Sequence, residues 1–509
     1  MTDNNLASIG KEVEMDIIKK CNELAENGKH QELIDLIESL PREQRTAEIV
    51  IILATAYINY AIEFEKPNRE SLEKALATLF SADEEQCEDP QWNYLVGCVY
   101  YFLNNELKAL PYLCFAKEHM PDNVNADEII EYCQNQVMYS RFERNFKERT
   151  KQAWEVFCQK EADLRARLQS CRNGQGDFSL FNNELNGILT IAFDEISFEA
   201  GFNGEKCEII LSPGGIKEVL FMLNYFVSNA PGHLKENWSF LVGRASQPDI
   251  AVDFGNFHIT VEDVQVLVEK VDESKVDIVL YCQKLFEQYQ KDDIKIWEIL
   301  YILIDHAIGE LSEMAYIDSL DVSYAPLQGE VIALSQLSSE LTKLGLEPIT
   351  EPKDILESYV AYEFAPDEDP EADWRLDIVS GSTCCPSLVN GYLENSNINM
   401  EILYGNGIAA GFLIYPIDSL ADGENSDPIF DFREQLVEYL EETCGDENIY
   451  ITGGATGIYC GYVDFIAWDL ENVLHAADSF FKNTQIDFVA YHSFARMAAT
   501  LGLHRKNSQ

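Results

Sequence analysis

A chain of 509 residues exceeds what one ordinary hydrophobic core can serve, and about three domains are expected from that length. Its 46% hydrophobic and 11% aromatic content excludes wholesale disorder. Eighty-eight acidic residues against 37 basic ones give a net charge of −51, which repels phosphate backbones and anionic lipid and disfavours nucleic-acid and membrane-surface roles.

The acidity is uneven. From Glu351 onward there are 28 acids and 7 bases, a net −21, and Arg433 is the only base between Leu376 and Phe481. Such a surface serves solubility, and it would also attract a basic partner. Thirteen cysteines form no CxxC pair and no zinc-like spacing with histidine, so neither a metal nor a disulfide framework is expected, and no cofactor is indicated. The start, "MTDNNLASIGKEVEMD", has no signal-peptide pattern, and "IVIILATAYINYAI" (49–62) is shorter than a membrane span. The expectation is a cytoplasmic protein.

Along the chain, "MDIIKKCNELAENGKHQELIDLIESLP" predicts a helix pair broken at Asn27-Gly28 and closed by Pro41. "ILATAYINYAI" and "LEKALATLFSA" predict a second pair carrying Ala54, Tyr57, Ala75, Leu79 and Ala82, with about nine residues inserted between the helices around "EKPNRES". "LVGCVYYFLNNELKALPYLCFAKEHMP" predicts a third, turning at "NNE".

In the third pair, Gly97, Tyr100, Ala109, Leu113, Ala116 and Pro121 recur with the spacing of a ~34-residue helical hairpin. Small residues let the two helices touch, large ones fill the wedge, and the proline ends the second helix. This segment resembles the tetratricopeptide-repeat family, with Trp92 one place earlier than the family's usual tryptophan. The resemblance implies a concave face lined by first-helix residues, here Gln91, Tyr94, Cys98 and Tyr101, that takes a peptide or another protein's surface. Family members that hold a chaperone's terminal carboxylate use Lys and Asn there; Tyr94 and Cys98 cannot. A long helical stretch without repeat spacing follows to about Ser170.

After Ser170 the period changes. "ISFEAGF", "CEIILSP", "WSFLVGRA", "FHITV" and "KVDIVLYC" predict strands, while "IKEVLFMLNYFVSNA" and "IWEILYILIDHAIGELSEM" predict helices. Beyond "KLGLEPITEPKD", strands are predicted at "RLDIVSGS", across "MEILYGNGIAAGFLIYPI", as a glycine-turned pair in "IYITGGATGIYCGYVDFIAW", and near "FVAYHSF". Helices are predicted at "SLVNGYL", "FDFREQLVEYLEET" and "LENVLHAADSFF". The fold class is therefore multidomain: all-α, tetratricopeptide-like repeats (1–125), a capping or connecting helix (126–170), and two α+β domains with largely antiparallel sheets (171–345 and an acidic 346–509). This C-terminal region resembles uncharacterised multidomain bacterial proteins, a likeness that carries no activity.

Candidate chemistry is sparse. "TGGATG" (452–457) lacks a P-loop's Lys-Ser/Thr and a following helix, and reads as a glycine-rich hairpin or bulge. The vicinal Cys384-Cys385 pair has no base nearby in sequence and an acidic setting that raises a thiol pKa. Cys385, His475 and Asp464 could complete a catalytic set in space, with His492 and Asp469 as further members. "DHAIGE" (305–310) reads as helix-end polar residues, and "APDEDPEADW" (365–374) as a solvated acidic loop without calcium-loop spacing. Two functions remain. The first is a non-enzymatic adaptor or inhibitor, of the toxin-neutralising immunity type, binding a basic partner protein. The alternative is a hydrolase or thiol-dependent enzyme with its site in the last domain.

Overall fold

The computed structural model describes residues 3–81, 87–142, 144–247, 251–254, 257–289, 293–367, 369, 373–420 and 425–505. The chain forms two compact units: the first is Met1–Glu143, Asn390–Pro416 and Asp478–Gln509, the second Arg144–Val389 and Ile417–Ala477. The segment 346–509, expected as one domain, is thus shared between the units.

The chain opens with seven helices: α1 (Asp3–Glu26), α2 (His30–Glu38), α3 (Ala47–Ile62), α4 (Arg69–Phe80), α5 (Pro90–Phe102), α6 (Glu106–His119) and α7 (Val124–Val137). Each packs on the next, and α1, α3, α5 and α7 lie side by side, so repeated helical hairpins stack around a shared core. Gly28, at φ +66°, turns α1 into α2. Asn68, Asp89, Asn105 and Asn123 cap the starts of α4 to α7, each accepting a hydrogen bond from a first-turn N–H. Gly97 faces Leu113 so closely that a Cβ there would lie 2.6 Å from the leucine Cγ. Ala54, Ala75, Ala109 and Ala116 are fully buried. The expected insertion around "EKPNRES" is only the turn of residues 63–68, and Ala82 lies outside the described residues.

The expected connecting helix is two helices, α7 in the first unit and α8 (Phe146–Arg172) in the second. Next come α9 (Phe178–Leu189), β1 (Ser197–Asn203), β2 (Lys206–Ser212), α10 (Lys217–Ser228) and β3 (Trp238–Val242). β1 and β2 form an antiparallel hairpin, and α10 carries the chain across to β3, parallel to β2. Trp154 and Phe157 of α8 lie on this sheet against Phe240 and Trp238.

β4 (Ala251–Phe254) and β5 (Phe257–Thr260) form a hairpin. β6 (Gln265–Lys270), β7 (Val276–Tyr281), α11 (Gln283–Tyr289), α12 (Asp293–Ile308), α13 (Glu310–Tyr316), β8 (Ile317–Val322), β9 (Val331–Ala333) and α14 (Leu337–Lys343) build a sheet in the order β8-β7-β6-β9 with a helix-covered core. The single helix expected over "IWEILYILIDHAIGELSEM" breaks at Gly309, whose φ of +86° no helix accommodates.

α15 (Pro352–Leu356), β10 (Val360–Glu363), β11 (Ile378–Thr383) and α16 (Pro386–Leu393) follow. The expected strand at "MEILYG" is instead helix α17 (Ile398–Gly405), because Met400, Leu403 and Tyr404 recur at helical spacing and are buried. β12 (Ala409–Pro416), buried almost throughout, reads as a continuous apolar run. After it come α18 (Asp427–Cys444), β13 (Ile449–Gly457), β14 (Cys460–Ala467), α19 (Leu470–Phe481), β15 (Phe488–Ser493) and β16 (Leu501–Arg505). In the second unit β10, β11, β13 and β14 pair in that order; in the first, β12, β15 and β16 do, all antiparallel. The mixed, largely antiparallel α+β character expected from the sequence is present.

Candidate functional site

A groove of about 980 Å³ lies in the second unit. One wall is α10, a second is the segment from Glu351 to Tyr359, and the end of α18 with the start of β13 closes the third side. Glu351, Glu357, Glu441, Asp446 and Glu447 line it, against the single base Lys353, which leaves a net −4. Helix α18 points its C-terminal end here with no basic residue in its last turn, so its dipole adds to the negative potential. Burial, then the charges of Asp446 and Glu438, pushes the Glu441 carboxyl above its usual range.

Of the aromatic residues lining the groove, Tyr359 is exposed and Tyr450 half-buried, whereas Phe221, Tyr225 and Trp468 are buried. Trp468 stacks on Tyr225 at 4.3 Å between centroids, and Phe221 meets Tyr450 edge-on at 5.0 Å. Tyr359, 48% exposed, anchors its hydroxyl on the Ile451 carbonyl at 3.0 Å. At one rim Lys147 reaches Glu447 at 3.0 Å. The groove thus combines carboxylates with the exposed Tyr359 ring, a pairing that receives a cationic side chain.

Deeper in the same unit is a buried polar cluster. One oxygen of Glu310 accepts hydrogen bonds from the Ser212 hydroxyl (2.6 Å) and the Gly214 N–H (2.9 Å), the other from the Arg244 N–H (3.0 Å). The Arg244 guanidinium donates to Asp305 at 2.9 Å and to Glu199 at 2.5 Å. Asp305 and Glu310 are 7% and 1% exposed, so "DHAIGE" does lie at the α12–α13 helix ends, but with its carboxylates buried. Its partners lie 61 or more residues away in the chain, which is why no local pattern announces it.

The candidate thiols are sealed. Cys385 is 1% exposed, and its sulfur has Ser387 Oγ at 3.4 Å and Glu218 Oε1 at 4.0 Å as polar neighbours, with no histidine among them. Ser387 donates to the same Glu218 carboxylate. Burial and then Glu218 push the Cys385 thiol up to about 12; burial pushes Cys384 up to about 11, with Lys217 opposing it. Neither is a thiolate at neutral pH.

Asp464 is fully buried and its carboxylate pairs with the equally buried Arg375 guanidinium, which also donates to the Tyr362 hydroxyl at 2.9 Å. His475 is exposed on α19. His492, in the first unit, is stacked on Phe412 within an aromatic core. "TGGATG" belongs to strand β13, with a register shift between Ile451 and Gly453, and the element that follows it is strand β14. Of "APDEDPEADW", Asp367, Asp369 and Asp373 are exposed; Glu368 and Glu371 lie outside the described residues.

On the repeats, Gln91 is exposed, while Tyr94, Cys98 and Tyr101 turn toward α7. Tyr94 hydrogen-bonds Cys98 and Asn125, and Tyr101 meets Tyr132 edge-on at 5.5 Å. Among the described residues no cluster of His, Cys, Asp and Glu is arranged to hold a metal ion, and no helix is long and apolar enough to cross a membrane. The groove residues Tyr225, Tyr359, Tyr450 and Trp468 carried no sequence signal, since they come from four separate segments. Comparison with protein-family models, curated proteins and solved structures finds no match to this chain.

Proposed function

We propose that this chain is a non-enzymatic binding protein that holds a basic segment of a partner protein, as an adaptor or an inhibitor of the immunity type. The observation that carries the reading is the groove between α10, Glu351–Tyr359 and the end of α18, lined by five carboxylates and the exposed ring of Tyr359 against Lys353, with Glu447 paired to Lys147 at the rim. A lysine or arginine entering it would exchange water for carboxylates and the Tyr359 ring. In the same reading the N-terminal hairpins are tetratricopeptide-like, with Gln91 the exposed member of the expected contact face, since Tyr94, Cys98 and Tyr101 turn toward α7.

The catalytic alternative has less behind it. Cys385 is closed off and protonated, Asp464 is committed to Arg375, and His475 is exposed on its own helix. The test is capture of partners by the full chain and by a Glu441→Lys/Asp446→Lys variant, followed by identification of what co-elutes. The reading expects a basic protein that the variant loses; a partner retained equally by both, or one that is itself acidic, refutes it.

A further inference from the structure

A second cleft of the same unit, about 470 Å³, runs along α8, and Cys158 lines it with Lys151, Trp154 and Glu155 of that helix. Pro231 also lines it, and the short 3-10 turn Gly232–Glu236 that follows brings His233 to the thiol. His233 Nε2 lies 3.7 Å from Cys158 Sγ, across 75 residues of chain. The turn is held in place. Leu234 is 2% exposed, its N–H donates to the Pro231 carbonyl at 3.0 Å, and Lys206 Nζ donates to the Lys235 carbonyl at 2.7 Å. Cys158 is half-buried and His233 exposed, so solvent reaches the pair. Among the described residues no other cysteine has a histidine within hydrogen-bonding distance.

We infer that Cys158 is a nucleophilic thiol with His233 as its proton acceptor, and that its cleft admits low-molecular-weight disulfides, with which it forms a mixed disulfide. Cys158 Sγ attacks one sulfur of the disulfide and gives its proton to His233 Nε2, which accepts in the tautomer protonated at Nδ1. As the new S–S bond forms the old one breaks, and the departing thiolate takes the proton back from His233. Cys158–SH and RSSR thus become Cys158–SSR and RSH, and no further oxidant is consumed.

The cleft lies within the ~300–1,000 Å³ range of small-ligand sites. Its charged lining balances, Lys147 and Lys151 against Glu155 and Glu447, so space and not charge decides what enters. Burial and then Glu161 push the Cys158 thiol above its usual range, although Glu161 is itself engaged by Arg165 and by the Trp238 indole N–H, each at 2.9 Å. The resting sulfur therefore keeps its proton, and at neutral pH it depends on the acceptor beside it. Such contacts tighten when the reactant is in place.

The test exposes the reduced full chain to glutathione disulfide and follows each cysteine by peptide mass spectrometry. Cys158 should acquire the glutathionyl group faster than Cys87, although Cys87 is the more exposed thiol. His233→Gln should slow the reaction at Cys158 about tenfold at about pH 7, and the two rates should converge at about pH 9, where hydroxide replaces the imidazole as acceptor. A merely structural role for His233 would slow the reaction equally at both values. No adduct at Cys158, an adduct that forms no faster than at Cys87, a rate indifferent to His233, or a loss that persists at the higher pH would overturn the inference. None of these outcomes bears on the acidic groove, so the two proposals fail separately.

Discussion

The Asp305 carboxylate lies 2.9 Å from the Arg244 guanidinium, yet burial and the neighbouring Glu310 push its carboxyl up to about 7. One guanidinium does not neutralise three carboxylates. In the unfolded chain an aspartate titrates near ~3.9. Between about pH 4 and 7 the folded chain therefore keeps a proton that the unfolded chain releases, so this contribution is present at the low end and lost as pH rises. Glu313, pushed to about 7 by burial and Glu310, acts in the same direction. Denaturant midpoints measured across that range should fall with pH, and Asp305→Asn should flatten the slope by about one proton. A slope identical in the variant would show that Asp305 titrates normally.

Gly97→Leu should destabilise the chain by ~2 kcal/mol or more, because even a Cβ at that position would meet Leu113 Cγ at 2.6 Å and the α5–α6 crossing must open. The readout is the unfolding midpoint of the repeat region in the full chain, followed by hydrogen exchange. Gly28→Leu, where a Cβ meets nothing within 4 Å, isolates the cost of backbone strain at positive φ.

Asp464→Ala should cost ~3–5 kcal/mol, since it strands the Arg375 guanidinium in a site where both side chains are fully buried. Asp464→Asn, which retains an acceptor, should cost less. Equal stability of wild type and the alanine variant in chemical denaturation would reopen a functional role for Asp464.

If the acidic groove receives a basic segment, association with the captured partner should slow by an order of magnitude or more between ~0.1 M and ~1 M salt, as the Debye length falls from ~10 Å to ~3 Å. Glu357→Lys and Glu441→Lys should each slow association more than dissociation. Charge reversal at the exposed Asp367, Asp369 and Asp373 should do so only if that loop meets the partner. Rates indifferent to salt would leave the acidity as a solubility property.

Much of the fold was present in local pattern. Gly97, Ala109 and Leu113 announced the α5–α6 hairpin because close helix contact requires small residues at fixed spacing. The glycines of "TGGATG" read as a glycine-rich hairpin or bulge; they lie within β13 at a register shift, and Ile458 and Tyr459 make the turn into β14. The run "MEILYG" failed because a short apolar stretch fits strand and helix alike, and only burial of Met400, Leu403 and Tyr404 on one face decided it.

The sequence by itself determined composition-level properties: the extreme charge, the helical repeats, and the change to mixed α/β after Ser170. Tertiary structure alone decided which residues meet. Arg244 finds Glu310 across 66 residues, Arg375 finds Asp464 across 89, and the groove draws Tyr225, Tyr359, Tyr450 and Trp468 from distant segments. Periodicity records which face of an element is buried, whereas a site depends on which elements pack together. That choice is made by burial and polar pairing between segments far apart in the chain, and it leaves no mark within any one of them.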